Sequence, residues 1–340
     1  MRTRTSTLLV AGLLALGLAV LAIVVPVPLV ALGPGPTFNT LGKVDDKPVI
    51  AVQGLPTYPP SGNLNLTTVS VTDHLTLVGV LNQWAAADRQ VVPRSAVYPP
   101  GLTDEQVQEK NAQDFSTSEM NAESAAVQEL GLPSVVAIAD VVAGSAADGK
   151  LRPGDRISAV DGNAVADPAA VNNLLQATKP GDAATVAFTR DGAAQSVTLT
   201  LGSAEDSPRG VLGVLLARLP KDGTVTVDLG GVGGPSAGLM FSLAIVDVLT
   251  PGDLTGGRFI AGTGAITADG VVQNIGGIQF KMAAAREAGA TVFVLPAGEC
   301  ATALPAVPPG LQLVKAATLH DAVTALNDLN AGRTPPGCSA

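Results

Sequence analysis

Two residues of this chain are suited to covalent chemistry. One is Ser236, set in Gly230-Gly231-Val232-Gly233-Gly234-Pro235-Ser236-Ala237-Gly238, and the other is Lys281, forty-five residues later. A serine hydroxyl is a weak nucleophile until a base takes its proton. The chain has only two histidines, His74 and His320. His74 lies far off in the N-terminal region. His320 opens the last helical stretch, where a solvated role near the cap is commoner. Lys281 is the better candidate. On a helix over residues 278–288 it shares a face with Ile278, Met282, Ala285 and Ala288, while Arg286 and Glu287 fall elsewhere. Burial disfavours an ammonium and lowers its pKa, and a neutral amine can accept the serine proton. The same position also suits a lysine whose stem covers the core while its head reaches water. Wheel position alone does not separate the two readings.

These residues need elements to hold them. Pro235 suits a first helical turn, because its missing N–H would be unpaired there anyway. The expected helix over 235–249 therefore places Ser236 in its first turn, beside free N–H groups and the positive end of the dipole. Those groups would receive an oxyanion, and the glycines let a substrate backbone approach closely. Around this lie expected strands at 211–219, 224–229, 291–295 and 311–314, a glycine-rich stretch over 256–277, and a last helix capped by Thr318 and Asp321. This is an α/β pattern.

The residue types then match a family. Gly234-Pro235-Ser236-Ala237-Gly238, Thr263-Gly264-Ala265-Ile266 with Gly270 and Val272, Ile275-Gly276-Gly277-Ile278 and Lys281-Met282-Ala283-Ala284-Ala285 resemble the Lon protease catalytic domain over about 120 residues. The resemblance implies Ser236 as nucleophile, Lys281 as general base and Thr263 as the hydroxyl that orients the amine. Without it, Thr263 also reads as a turn residue before Gly264. Two acidic residues of the family pattern are missing: Ala265 follows the Thr-Gly pair, and Gly233 stands near where an acid precedes Gly-Pro-Ser. No Gly-x-x-x-x-Gly-Lys-Ser/Thr loop occurs, so no ATPase motor is expected.

Residues 132–203 change in character. A strand over 135–142, turns at Pro153-Gly154-Asp155 and Asp161-Gly162-Asn163, a short helix over 168–177 and a hairpin across Asp191-Gly192 follow one another. VVAGSAADGKLRPGDRISAVDGNAV at 141–165 resembles a bacterial PDZ domain, which would bind an extended peptide at a sheet edge. No clear Gly-Leu-Gly-Phe-type loop is visible, and the peptide-binding residues stay unassigned. A spacer without a ligand is the bland alternative.

The N-terminus points to a membrane. Residues 8–25 are unbroken Leu, Ala, Val, Gly and Ile, about 27 Å long as a helix. Arg2 and Arg4 precede them, and no basic residue follows until Lys43, which sets the N-terminus in the cytoplasm and the rest outside. A cleaved signal peptide is the competing reading, though its apolar part would be shorter. Residues 34–62 read as a connector with one short strand at 49–52. Residues 63–72 alternate as a strand, 75–87 look helical around Trp84, and two helices are expected near 103 and over 118–130.

Composition narrows the rest. Hydrophobic residues reach 46% but aromatics only 3%, so the core is Ala, Val, Leu and Ile. A net charge of −9 disfavours nucleic acid. No cluster has metal-ligand spacing, and no cofactor is expected. Cys300 and Cys338 form a disulfide or remain two thiols; the sequence leaves this open.

The expected organisation is a multidomain, mixed chain: 1–33 cytoplasmic N-terminus and anchor, 34–131 α/β region, 132–203 PDZ-like domain, 208–330 Lon-like domain and 331–340 tail. The whole arrangement resembles the bacterial PDZ-containing, ATP-independent Lon-like proteases. It implies a single-pass serine endopeptidase acting outside the cytoplasm on protein or peptide substrates, with a ring-shaped homo-oligomer by resemblance. The alternative is a tethered PDZ adaptor that does not cut.

Overall fold

The structure is a computed structural model. It describes residues 2–86, 88–204, 207–230 and 233–339. Gly231 and Val232 of the glycine-rich segment, Glu205 and Asp206 of the polar stretch before Arg209, and Ala87 at the end of an expected helix therefore lie outside the described residues.

Helix α1 (Arg2–Val24) is the apolar N-terminal element, and none of its Thr7–Val24 stretch is buried in the fold. The chain then enters a six-stranded sheet. Its order is Gln312–Ala316, Val292–Pro296, Phe259–Gly262, Asn63–Thr72, Leu29–Asn39, Gln90–Pro93. The first four strands are parallel, and the last two pairings are antiparallel. Half of this sheet thus comes from residues 29–93 and half from 259–316. The start of the segment read as a connector, residues 34–39, belongs to an internal strand. Pro34 and Pro36 are tolerated because the pairing slips at that point, with a register shift between Pro34 and Thr37. Gly35 sits in the slip, where a Cβ would come 2.4 Å from Thr68 Oγ1.

Helix α2 (Leu77–Ala85) follows the Asn63–Thr72 strand. Helix α3 (Asp104–Glu129) is one rod rather than the two helices expected, opened by a capping box between Thr103 and Gln106. No Gly or Pro interrupts residues 104–129, so nothing breaks it.

Between these halves the chain builds a second unit around helix α4 (Pro168–Leu175), capped by Asp167. Its sheet runs Ala193–Thr200, Ala183–Arg190, Arg156–Val160, Ser134–Val141, Val214–Pro220. Val136, Ile138, Ile157, Val186 and Leu199 form its own core. Val214–Pro220 was expected in the C-terminal unit. It pairs instead with Ser134–Val141 along its whole length, so the PDZ-like sheet extends beyond 203 and claims residues the sequence reading gave to its neighbour.

Asp155 anchors this unit and is buried. It accepts from Arg190 Nε (2.7 Å), Arg190 Nη2 (2.6 Å) and the Arg152 N–H (2.8 Å). Burial alone pushes its carboxyl up, but these donors outweigh that and hold it below the usual carboxylate range. Asp155→Asn keeps the shape and loses the charge. We expect a cost of roughly 2 kcal/mol to this unit, read as a lower urea midpoint. A carboxyl held low in the fold stabilises above its unfolded pKa. The advantage over Asn should therefore start to shrink as pH falls below about 4 and be lost as pH falls through the lowered folded value.

The main core lies between the six-stranded sheet and helix α5 (Gly238–Leu249), which is buried from Gly238 to Asp247. Phe115 of α3 meets Phe241 of α5 edge to face at 5.7 Å. On the opposite side, Ile278, Met282 and Ala285 of helix α6 (Ile278–Glu287) pack on Ala261, Phe293 and Leu295.

Candidate active site

Gly277 opens α6 with φ 72°, and a Cβ there would press to 2.7 Å of Val69 Cγ2. Glycine lets the helix start hard against the sheet. Lys281 lies one turn in and is 3% exposed. Its Nζ is 2.8 Å from Ser236 Oγ and 2.9 Å from Thr263 Oγ1. Thr263 follows the Phe259–Gly262 strand directly and is fully buried. Its N–H donates to Val294 O, and its hydroxyl donates to Ser236 O at 3.0 Å. The three side chains singled out in the sequence therefore meet at one point.

Ser236 does not sit inside the first turn of α5. The regular helix begins at Gly238 with Ala237 as its N-cap. The reason is the Ser236 carbonyl. It accepts from the Gly264 N–H (2.9 Å) and the Thr263 hydroxyl, and so is turned sideways rather than along the helix axis. Among the described residues, the N–H groups of Ser236 and Ala237 have no acceptor. They stand at the positive end of α5 and are able to receive an oxyanion. Gly238 is required for this packing, since a Cβ would lie 2.8 Å from Ile266 Cγ2 and 2.9 Å from Ser118 Oγ.

Burial lowers the Lys281 amine from 10.5 to about 8, with Glu299 pulling the other way. Glu299 is the one acid that acts on this lysine, and the sequence reading did not single it out. It is buried and accepts from the Ile275 N–H at 3.0 Å. No local signal marked it, because it arrives from beyond the next strand. Helix α3 was also missed as a support. The Gly234 N–H donates to Asn111 O (3.0 Å), and Ser118 Oγ donates to Pro235 O (3.1 Å), so α3 holds the turn before the serine. Neither histidine approaches. His320 faces Glu129 at 2.9 Å and His74 lies beside Asp73, both largely exposed. Ser236 and Lys281 open onto a cleft of about 580 Å³ that Thr67, Val69, Asn274 and Gly276 help to line. Among the described residues, the pairing of the Asn63–Thr72 strand with Phe259–Gly262 ends at Leu66, and the Thr67 hydroxyl then donates to Gly262 O at 3.0 Å.

A second cleft, about 680 Å³, lies in the other unit between α4 and the segment leading into Val214–Pro220. Val142, Ser145, Val171, Leu175 and Val211 line it. Gly210-Val211-Leu212-Gly213 was passed over because it follows the hairpin, outside the span read as this domain. Val214–Pro220 ends its sheet; its Val214 and Leu216 border this cleft, while farther along the Arg218 N–H donates to Ser124 Oγ of α3 at 2.9 Å. Cys300 and Cys338 are joined as a disulfide with Cα atoms 5.3 Å apart, fastening the C-terminal tail. Among the described residues no His, Cys, Asp or Glu group could hold a metal.

Two comparisons define the class. Residues 107–201 match the PDZ domain, and residues 222–326 match the Lon protease (S16) C-terminal proteolytic domain. In its make-up the chain joins a stretch similar to a PDZ domain to a stretch similar to the Lon proteolytic domain. A particular relative is the Lon protease of Clostridioides difficile (strain 630), 39% identical over 79 residues, which are 23% of this chain and 10% of that protein. The chain thus spans about a tenth of the length of the curated relative it matches. Among solved structures, the PDZ domain of the SdrC-like protein from Listeria monocytogenes is 21% identical. It covers 24% of this chain and 86% of that one, with a TM-score of 0.23. A protein from Geobacillus thermodenitrificans is 28% identical, covering 22% and 87%, with a TM-score of 0.21.

Proposed function

We propose that the chain is a membrane-anchored serine endopeptidase with a Ser236–Lys281 dyad, supported by Thr263, that works without ATP outside the cytoplasm. The observation that carries this reading is the 2.8 Å approach of a buried amine to a hydroxyl at the mouth of a cleft. Ser236 Oγ attacks the scissile carbonyl as its proton passes to Lys281 Nζ. The N–H groups of Ser236 and Ala237 receive the oxyanion. Lys281 returns the proton to the leaving amine, and the acyl-enzyme remains. Water then attacks, Lys281 takes its proton and passes it to Ser236 Oγ, which leaves as a hydroxyl while the peptide acid is released. An extended substrate can add to the Asn63–Thr72 strand beyond Leu66, where its pairing with Phe259–Gly262 has ended. The apolar α1 and the paired cysteines support the location.

The test is cleavage of an unstructured protein by the purified chain without nucleotide. The rate should climb about tenfold per pH unit below 8 and level off above it, as the amine at about 8 loses its proton. A profile turning near 6.5, the range of a histidine, would rule out the lysine base.

The cleft beside α4 would take an extended peptide along Val214–Leu216 at the end of that sheet, delivering substrates to the dyad. Val211→Asp puts a charge into that cleft. It should weaken peptide binding there by about tenfold or more, measured by fluorescence polarisation. Hydrolysis of a short peptide that occupies only the dyad cleft should continue.

A further inference from the structure

Helix α2 carries an unpartnered apolar face. Leu77, Val78, Leu81 and Trp84 are all exposed, Trp84 at 73%. At 100° per residue, Trp84, Leu77 and Leu81 fall within one narrow arc, and Val78 and Ala85 widen it. At the flank of this arc next to Trp84, Val80 is buried in a small cluster with Ala31 and Leu75. No charged residue lies in 77–86. Such a face in water is unfavourable unless something covers it.

Its place in the fold identifies the cover. The apolar run of α1 ends at Val24. Two residues later Pro26 forms a β-bridge with Thr76, the N-cap of α2, and the Val27 N–H donates to Leu75 O at 2.8 Å. The end of α1 also packs beside α2. The start of α2 therefore lies at the level where the chain leaves the hydrocarbon. Tryptophan and short amphipathic helices favour that interface.

We propose that α2 is a second membrane contact, lying in the outer interface of the bilayer that α1 crosses, with Trp84, Leu77 and Leu81 set among the lipid headgroups and upper acyl chains. This rests on the anchoring reading above. It has a consequence for the cleft. The Asn63–Thr72 strand, whose Thr67 and Val69 line the cleft, runs toward α2. Docking α2 holds Val69 within roughly 10 Å and Thr67 within roughly 17 Å of the strand's end at Thr72, at about 3.3 Å per residue.

Trp84 is the chain's single tryptophan, so it reports on α2 alone. The full chain is reconstituted into vesicles of phosphatidylcholine and phosphatidylglycerol, and flotation is measured beside fluorescence. The proposal expects vesicles that float with the protein, blue-shifted emission, strong quenching by acyl-brominated lipid, and iodide quenching several-fold below that of free tryptophan. Leu81→Glu, at an exposed site, should still float while iodide quenching rises. A chain that floats while Trp84 stays open to iodide and untouched by brominated lipid overturns the docking alone. Shielding from iodide without lipid quenching assigns the face to a second copy of the chain and overturns it too. A chain that does not float sinks the anchoring, and the docking with it.

Discussion

Ser236→Ala and Lys281→Arg should each reduce cleavage of an unstructured protein by about 10⁴-fold or more, the scale on which paired nucleophile and base act as a unit. The alanine variant removes the attacking oxygen. The arginine variant is the sharper test. It keeps a long cationic side chain in the 2.8 Å contact, but a guanidinium does not lose its proton in proteins. If Lys281 served only to hold Ser236 by a hydrogen bond, arginine would retain much of the rate. Circular dichroism and melting should show both variants folded. Cleavage that survives in Ser236→Ala would end the nucleophile assignment, and cleavage that survives in Lys281→Arg would end the general-base role.

Lys281→Met should make the chain inactive and, at pH 7, more stable. In the fold, burial holds this amine at about 8, against an ordinary value of 10.5. Below pH 8 the folded chain carries the full cost of a buried ammonium, about 3 kcal/mol for a shift of this size. Lost hydrogen bonds to Ser236 and Thr263 offset roughly 1 kcal/mol of that. Methionine should therefore gain about 2 kcal/mol at pH 7. Between pH 8 and 10.5 the unfolded chain binds more protons than the folded one, so wild-type stability rises with pH across that window. The gap to methionine should close, and above 10.5 it should reverse as only the lost hydrogen bonds remain. Urea midpoints at pH 7 and pH 10 read this directly. Equal midpoints at both would mean that Lys281 is not desolvated. Stability given up at one buried lysine is the usual signature of a site shaped for chemistry.

Much of this molecule was legible before folding, because the features concerned are local. The 3.6-residue period placed Lys281 on the apolar side of its helix. The Asp191-Gly192 turn marked the hairpin, and the Thr318–Asp321 pair marked the last helix, whose capping box is present. The glycine-rich turn drew attention to Ser236, and an unbroken apolar run to α1. Family resemblance carried Thr263 and the choice between a buried and a snorkelling lysine.

What the sequence could not display is pairing between distant segments. Residues 34–39 looked like part of a Pro-rich connector, because a bulge that forgives prolines exists only once the Asn63–Thr72 partner is in place. Val214–Pro220 has the same apolar character whichever sheet receives it, and only the open edge of Ser134–Val141 decides. The start of α5 moved to Gly238 because the Ser236 carbonyl found Thr263 and Gly264. Glu299 and Asn111 joined the site from separate elements. By itself the sequence determined many of the local elements, the reactive side chains and the apolar helix. The tertiary structure decided which strands complete one sheet and which charge faces the lysine, because hydrogen bonding across long loops and Coulomb interaction through a dry interior depend on distance in space, not along the chain.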